Sequence, residues 1–331
     1  MSTSFFSSAP YIPPDAIFAL PAEYLADPGP QKVKLATSQA ISGTGSLHLA
    51  GKILKYCSPN PTLPTVYIPT PTWSNHHLVF SSLGFPCTFF QYYNAETNSL
   101  DIDSYLSTLR SAPQRSIIIL HACAHNPTGL DPTIEQWKEI GSIVKERGLF
   151  PLFDVHAWAV RYFVRDLGLE AAVCLSFAKN MGLYGERVGC LLATSTPDTA
   201  RNAQSALESL QRSEISNPPA FGARVAETIL SDEKLRGLWF EDLKTLSGRI
   251  QEMRRALIEG LGKYASGNWE HLIRQSGMFG FLGLSRHVVK VLKDEYHIYM
   301  AENSRISIAG LNTGNVDYVA RSIGEVLGWE K

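Results

Sequence analysis

The sequence predicts an α/β fold: a mostly parallel sheet with helices on both faces, followed by a small α+β layer. Three observations predict it. Strand-like and helical segments alternate from Leu35 to about Thr194. The runs Ile117–Leu120 and Ala171–Leu175 are continuously apolar instead of alternating, which marks strands covered on both faces. From about Pro197 the pattern turns helical and then mixed.

Residues 1–34 are Pro-rich and irregular ("SSAPYIPPD", "DPGPQK") and read as an N-terminal arm lying on something else. A large domain is expected over 35–246. There "VKLATSQAI" reads as a strand ending in "SGTGS" and the helical "LHLAGKILKYC". "TVYIP" leads to helical "NHHLVFSSLGF", and "CTFFQYY" to "DIDSYLSTLR". "RSIIILHAC" precedes a loop and the helix "PTIEQWKEIGSIVKERG". Asp131 is its expected N-cap and Pro132 its first residue. "LFPLFD", "AAVCLSFA" and "VGCLLAT" complete the strands. Asp232 to Tyr264 reads as one long helix or a broken pair. A small C-terminal domain is expected over 247–331, from "FGFLGL", "HVVKVLKDEY", "HIYMA", "RISIAGL" and "NVDYVARSIGEVLG".

Composition narrows the function classes. The chain has 331 residues, 44% of them hydrophobic, enough for a real core in one large domain or two intimate ones. The formal net charge is −1 and the charges are interspersed, which argues against nucleic acid or an acidic membrane as partner. Cys57, Cys87, Cys123, Cys174 and Cys190 are scattered and form no C-x-x-C pair. A disulfide framework or zinc ribbon is therefore not expected, and a reducing compartment fits. "MSTSFFSSAPYIPPDAIF" has neither a signal-peptide nor a transit-peptide pattern. No apolar stretch is long enough to span a bilayer. The expectation is a soluble, cytoplasmic protein.

Ligands of such sheets sit beyond the carboxyl ends of the strands, and that is where the polar groups fall. "SGTGS" (Ser42 to Ser46) opens a helix with small residues, exposing N–H groups to an anion. It matches neither the dinucleotide fingerprint nor the P-loop, so a single phosphate is the better fit. In "HACAHNPTG" His121 and His125 are four apart. The stretch follows a strand and breaks at Pro127, so helical facing and a metal pair are not expected. Asn126, before Pro127, is pushed toward extended geometry. Asp154 ends one strand and needs a cationic or donor partner. Lys179 follows the next, where burial of an unpaired ammonium would be costly. Arg187 follows in the same loop and offers a planar fork for a phosphate. A desolvated lysine crowded by cations is a free amine near neutrality, and a free amine attacks carbonyls. An aldehyde cofactor with a phosphate and a pyridine ring uses every one of these groups. That cofactor is pyridoxal 5′-phosphate (PLP).

"HACAHNPTGLDPTIEQW", "SFAKNMGLYGERVG", "SNPPAFGARVA" and "SRISIAGL" closely resemble the aspartate aminotransferases of fold-type I, in their eukaryotic, cytosolic-like form. The resemblance runs over nearly the whole chain. It implies a PLP enzyme that moves an amino group between a dicarboxylic amino acid and a 2-oxo acid such as 2-oxoglutarate, and it implies a homodimer. Lys179 then matches the Schiff-base lysine that shuttles the proton, and Asp154 the partner of the pyridine nitrogen. Asn126 matches the donor to the ring phenolate. Ser42, Gly43, Thr44, Ser176 and Arg187 match the phosphate cradle. Trp73 matches the indole stacked on the ring, and His76 the neighbour behind the aspartate. Arg305 matches the grip on the substrate α-carboxylate. Arg212 matches the arginine that reaches from the other subunit to the side-chain carboxylate.

The chain departs from the family at two joins. Between Leu35 and Ala36 the family carries a long segment with the loop that closes over substrate and a tyrosine given to the other subunit's phosphate. Between Asp154 and "AWAVRYF" it carries a shorter one with the tyrosine that donates to the phenolate; here only Val155 and His156 intervene. His156 could in principle substitute for that donor. These departures leave open a second reading, a PLP-binding relative with weakened or redirected transamination. A third is a non-catalytic fragment that dimerises with a full-length relative.

Overall fold

The computed structural model describes residues 4–6, 35–59, 61–154 and 158–329. Residues 7–34 of the expected arm, and His156 at the second join, lie outside the described residues.

Among the described residues eleven strands follow in chain order: β1 (Leu35–Ile41), β2 (Val66–Thr70), β3 (Cys87–Gln91), the short pair β4 (Tyr93–Asn94) and β5 (Ser99–Leu100), β6 (Ile117–His121), β7 (Phe150–Asp154), β8 (Ala171–Ser176), β9 (Val188–Thr194), β10 (Phe279–Phe281) and β11 (Arg305–Ser307). Seven of them form one sheet in the order β1-β9-β8-β7-β6-β2-β3. β9 runs antiparallel to both of its neighbours. The pairs from β8 through β7, β6 and β2 to β3 are parallel. The first join, Leu35–Ala36, falls inside β1, which pairs continuously with β9 from Leu35↔Thr194 to Ile41↔Val188.

Apolar residues on successive positions face opposite cores. Ile117 and Ile119 of β6 enter one cluster with Phe150, Leu152 and Leu191. Ile118 and Leu120 enter the other with Phe153, Trp137 and Phe163. All four β6 residues are fully buried, each contributing roughly 1.5–3 kcal/mol of transfer free energy. The helices α1 (Ser42–Tyr56), α2 (Asn75–Ser82), α3 (Ile102–Ser111), α4 (Ile134–Arg147), α5 (Trp158–Arg161) and α6 (Pro197–Ile215) accompany the sheet.

α4 corrects one expectation. Its N-cap is Thr133, not Asp131: Thr133 Oγ1 accepts from Gln136 N and Gln136 Oε1 from Thr133 N, a capping box. Asp131 is occupied elsewhere. Its carboxylate accepts from the backbone N–H groups of Ala124 and His125 and from Ser276 Oγ.

Beyond α7 (Ala220–Ser231), α8 is one unbroken helix, Glu233–Tyr264, which passes the expected boundary at 246/247 without interruption. Its second half, with α9 (Arg286–Tyr296) and α10 (Val316–Trp329), builds a third core around Leu257, Leu261, Val288, Leu292, Ile308 and Ile323. A turn at 275–278 links this core to the sheet, where Ser276 N donates to Gly129 O at 2.7 Å. At the other end of the chain, Phe6 is buried against Phe150, and Glu170 accepts from Phe5 N and Ser4 Oγ. No helix among the described residues is long and apolar enough to cross a membrane.

Candidate active site

The parallel strands end on one edge of the sheet, and β9 starts there because it runs the other way. That edge gathers Ser42, Ser176, Asp154 and His121 from strand ends and Arg187 from the start of β9.

The anion loop is assembled between β1, β8 and β9. Ser42 Oγ and Ser176 Oγ lie 2.8 Å apart, and Ser42 N donates to Arg187 O at 3.0 Å. Ile41 precedes α1 without a side-chain cap, so the N–H groups of Gly43 and Thr44 at the start of the helix are left to a ligand. Asn75 Nδ2 donates to Thr44 Oγ1. Arg187 lies over the Tyr184 ring and donates to its carbonyl. Close packing shapes the floor: a Cβ at Gly189 would stand 2.6 Å from the Ser42 carbonyl carbon and oxygen and 2.7 Å from Leu175 O.

Asp154 is served by a directed chain of hydrogen bonds. His76, fully buried, is 3.1 Å from Asp154 Oδ2 through Nε2, and its Nδ1 is 2.9 Å from Thr72 Oγ1. Thr72 Oγ1 is 3.2 Å from His121 Nε2, and His121 Nδ1 accepts from Asn126 N. Burial, with His125 and His76 beside it, holds the His121 pKa well below 6.5, so the ring is neutral. With Nδ1 accepting, its proton sits on Nε2 and goes to Thr72, whose hydroxyl then donates to His76 Nδ1. His76 must therefore carry its proton on Nε2 and donate to Asp154. Burial alone would raise the Asp154 carboxyl. The bond from His76 and the nearby His76, His121 and Lys179 outweigh it and hold it below 3.8.

Asn126, Arg305 and Lys179 meet across the turn that links the third core to the sheet. Arg305 Nη1 donates to Asn126 Oδ1 at 2.7 Å. Because guanidinium only donates, the Asn126 oxygen is committed to it and the NH2 group is left to point elsewhere. The Phe279 ring carries Arg305 at 4.4 Å and Lys179 Nζ at 5.7 Å. β8 ends at Ser176, Lys179 lies beyond it in a turn, and its side chain is exposed.

Trp73 stands edge-on to His76 at 5.6 Å, packed on the first core. Arg212 is exposed in the last turn of α6. The His121 and His125 rings do lie together, 4.3 Å between centroids, with burial pressing both pKa values well below 6.5. No cluster of three metal-ligating side chains occurs among the described residues. Thr72, Asn75 and Phe279 were missed in the sequence. Thr72 and Asn75 flank Trp73 in "TPTWSNHH", the one signal that points to them.

The donor set fits PLP: an uncapped helix start with two hydroxyls and a guanidinium for a phosphate, an ionised carboxylate for a ring nitrogen, and a lysine beside an amide. Comparison with known proteins agrees. Residues 11–323 match the family "Aminotransferase class I and II". The mitochondrial aspartate aminotransferase of Dictyostelium discoideum is 45% identical over 307 residues, covering 88% of this chain and 71% of that protein. The cytoplasmic one of Saccharomyces cerevisiae is 41% identical over 317 residues, covering 90% and 75%. Its solved structure superposes with a TM-score of 0.85 at 40% identity over 90% of this chain and 76% of the other. An aromatic-amino-acid aminotransferase of Burkholderia pseudomallei, covalently bound to pyridoxal phosphate, gives 0.87 at 35% identity over 96% and 84%. The chain belongs to the class I and II aminotransferases, and it is a PLP-dependent transaminase.

Proposed function

We propose that the protein is an aspartate-type aminotransferase, moving an amino group between a dicarboxylic amino acid and 2-oxoglutarate. The observation that supports this is the Arg305–Asn126 bond above Phe279, where the Arg305 guanidinium shares one ring face region with the Lys179 amine. When bound, PLP supplies an aldehyde for amines and a ring that takes up the electron pair released at the substrate Cα. Ser42, Gly43, Thr44, Ser176 and Arg187 would hold its phosphate. Asp154, ionised and oriented by His76, would hold a proton on the ring nitrogen. The Asn126 NH2 would donate to the ring oxygen, and Trp73 would cover the ring. Lys179 would anchor the cofactor through its ε-amine and take and return the proton at the substrate Cα. Arg305 binds the α-carboxylate bidentately.

Arg212 serves the side-chain carboxylate from a second copy of the chain, which makes the working form a homodimer. The two-part organisation, 35–246 and 247–331, places Arg305 on the smaller part. The cytoplasm is the proposed location, in line with the similarity to cytoplasmic relatives. A second reading, PLP binding with weakened transamination, is favoured by the two joins at Leu35–Ala36 and Asp154–Val155, where the resemblance implies a closing loop and a phenolate tyrosine that this chain lacks. Adding aspartate to the PLP-loaded chain is expected to shift the cofactor's visible absorption, and 2-oxoglutarate to restore it. A bound cofactor that ignores both selects the second reading. A chain that binds no PLP overturns both.

A further inference from the structure

We propose that Arg254 is a positioning residue of the active site: from inside α8 it fixes the turn that carries Phe279 beneath Lys179 and Arg305. Arginine is almost never fully buried without a reason, yet Arg254 is 5% exposed. Its Nη2 donates to Gly277 O at 2.7 Å and to Phe279 O at 3.0 Å. Its Nη1 has no partner among the described residues. Burial lowers its pKa, but a guanidinium remains charged. This buried cation is thus spent on two carbonyls of one turn, the strongest class of hydrogen bond a backbone oxygen accepts.

The turn it grips is the junction of the site. Gly277 has φ +82, and a Cβ there would meet Ala124 Cβ at 2.6 Å, so the turn presses on the loop that carries Asn126. Ser276 N donates to Gly129 O on that same loop. On the other side Met278 O accepts from Ile308 N and Ala309 N, and Phe281 pairs with Arg305. A second arginine of α8, Arg249, donates to Ala309 O and Leu311 O, so the helix holds both segments by their carbonyls. Without Arg254 the backbone of Phe279 loses its anchor. The ring that both site cations share then drifts, and Arg305 loses its orientation toward a carboxylate.

The kinetic part of the test rests on the proposed aspartate-type reaction; the structural part does not. The full chain is compared with R254M, of similar length but without donors, and with R254K, which keeps charge but not the fork. Hydrogen exchange of the amides in 275–281 is expected to speed up in R254M while those of 235–250 keep their rates. The KM for aspartate and 2-oxoglutarate is expected to rise about 10- to 100-fold, with kcat changed far less, as for a lost carboxylate orientation. PLP affinity, set by other residues, stays within about twofold, and R254K falls between. A folded R254M with wild-type exchange in 275–281, or with faster exchange and unchanged KM, overturns the proposal. If R254M does not fold, the same readouts on R254K decide. A wild-type chain without transamination sinks the proposed reaction instead, and the exchange rates then judge Arg254 alone.

Discussion

His76 donates to Asp154 across 3.1 Å, and the direction of that bond is dictated by the backbone amide of Asn126, acting through His121 and Thr72. His76→Leu removes the donor and leaves burial as the dominant influence on Asp154, so the carboxyl rises and its hold on a ring proton weakens. A charge-assisted bond of this kind is worth about 1.5–3 kcal/mol, so kcat is expected to fall about 10- to 100-fold. Thr72→Val keeps the imidazole but frees its tautomer, and should cost less, about fivefold. Steady-state kinetics on both variants provide the check; wild-type kcat in His76→Leu rejects the relay.

The same buried rings make the fold acid-sensitive. His121 and His125 titrate well below 6.5 in the folded chain, whereas an unfolded histidine titrates near 6.5. Below about pH 6.5 the unfolded state therefore binds protons that the native state refuses, and stability falls with pH by up to about 1.4 kcal/mol per unit for each ring. Asp154 adds to this lower down. Its depressed carboxyl contributes stability that is present above its unfolded value and lost as pH falls through the folded one. Urea midpoints from pH 7.5 to 5 measure the slope. His125→Phe, which keeps the ring stacked 3.8 Å over Tyr92, should flatten it by about one proton; an unchanged slope contradicts the assignment.

Much of this was legible in the chain because burial leaves local marks. β6 and β8 were readable since alternate residues face different cores, which forces an unbroken apolar run. Lys179 and Asp154 were readable because they follow such runs, and Ser42 because it opens the small-residue stretch SGTGS at a helix start. Arg254 was not, because its partners Gly277 and Phe279 are far along the sequence. A mark did exist: Arg254 interrupts the buried stripe of Met253, Leu257 and Leu261 on α8. The capping box of α4 was also written in Thr133 and Gln136, and Asp131 masked it by looking like a cap while serving the loop.

Gly189 tests the cradle. An added methyl would meet backbone atoms of Ser42 and Leu175 at 2.6 and 2.7 Å, and backbone between paired strands cannot swing aside. Gly189→Ala should cost about 1–3 kcal/mol of stability and move Ser42 off its position near Ser176. PLP titration should show affinity reduced about tenfold or more. Retention of wild-type affinity means the cradle lies elsewhere.

Phe6 anchors the start of the chain. It is 1% exposed, set edge-on to Phe150 at 5.7 Å, and Glu170 accepts from Phe5 N at 2.7 Å. Truncating a buried Phe to Ala typically costs about 3–5 kcal/mol, so Phe6→Ala should lower the denaturation midpoint clearly. Glu170→Gln, which keeps the shape and weakens the acceptor, should lower it less. Equal midpoints in Phe6→Ala and the parent show that the contact does not stabilise the fold.

Arg212 is best tested by mixing subunits. It is exposed in the last turn of α6, and the proposal assigns it to the site of a second copy. Lys179→Ala should abolish activity outright. Arg212→Ala should raise the KM for dicarboxylates while sparing neutral amino acids, because only the side-chain carboxylate loses its partner. A mixed dimer of the two variants then contains one site with its own Lys179 and with Arg212 supplied by the Lys179→Ala copy. If Arg212 acts between copies, unfolding and refolding the two variants together restores dicarboxylate turnover that neither shows alone. If it acts within its own chain, every Lys179-containing site still lacks Arg212 and the mixture stays as slow as Arg212→Ala. The same experiment reads the assembly, since restoration requires that two copies share a site.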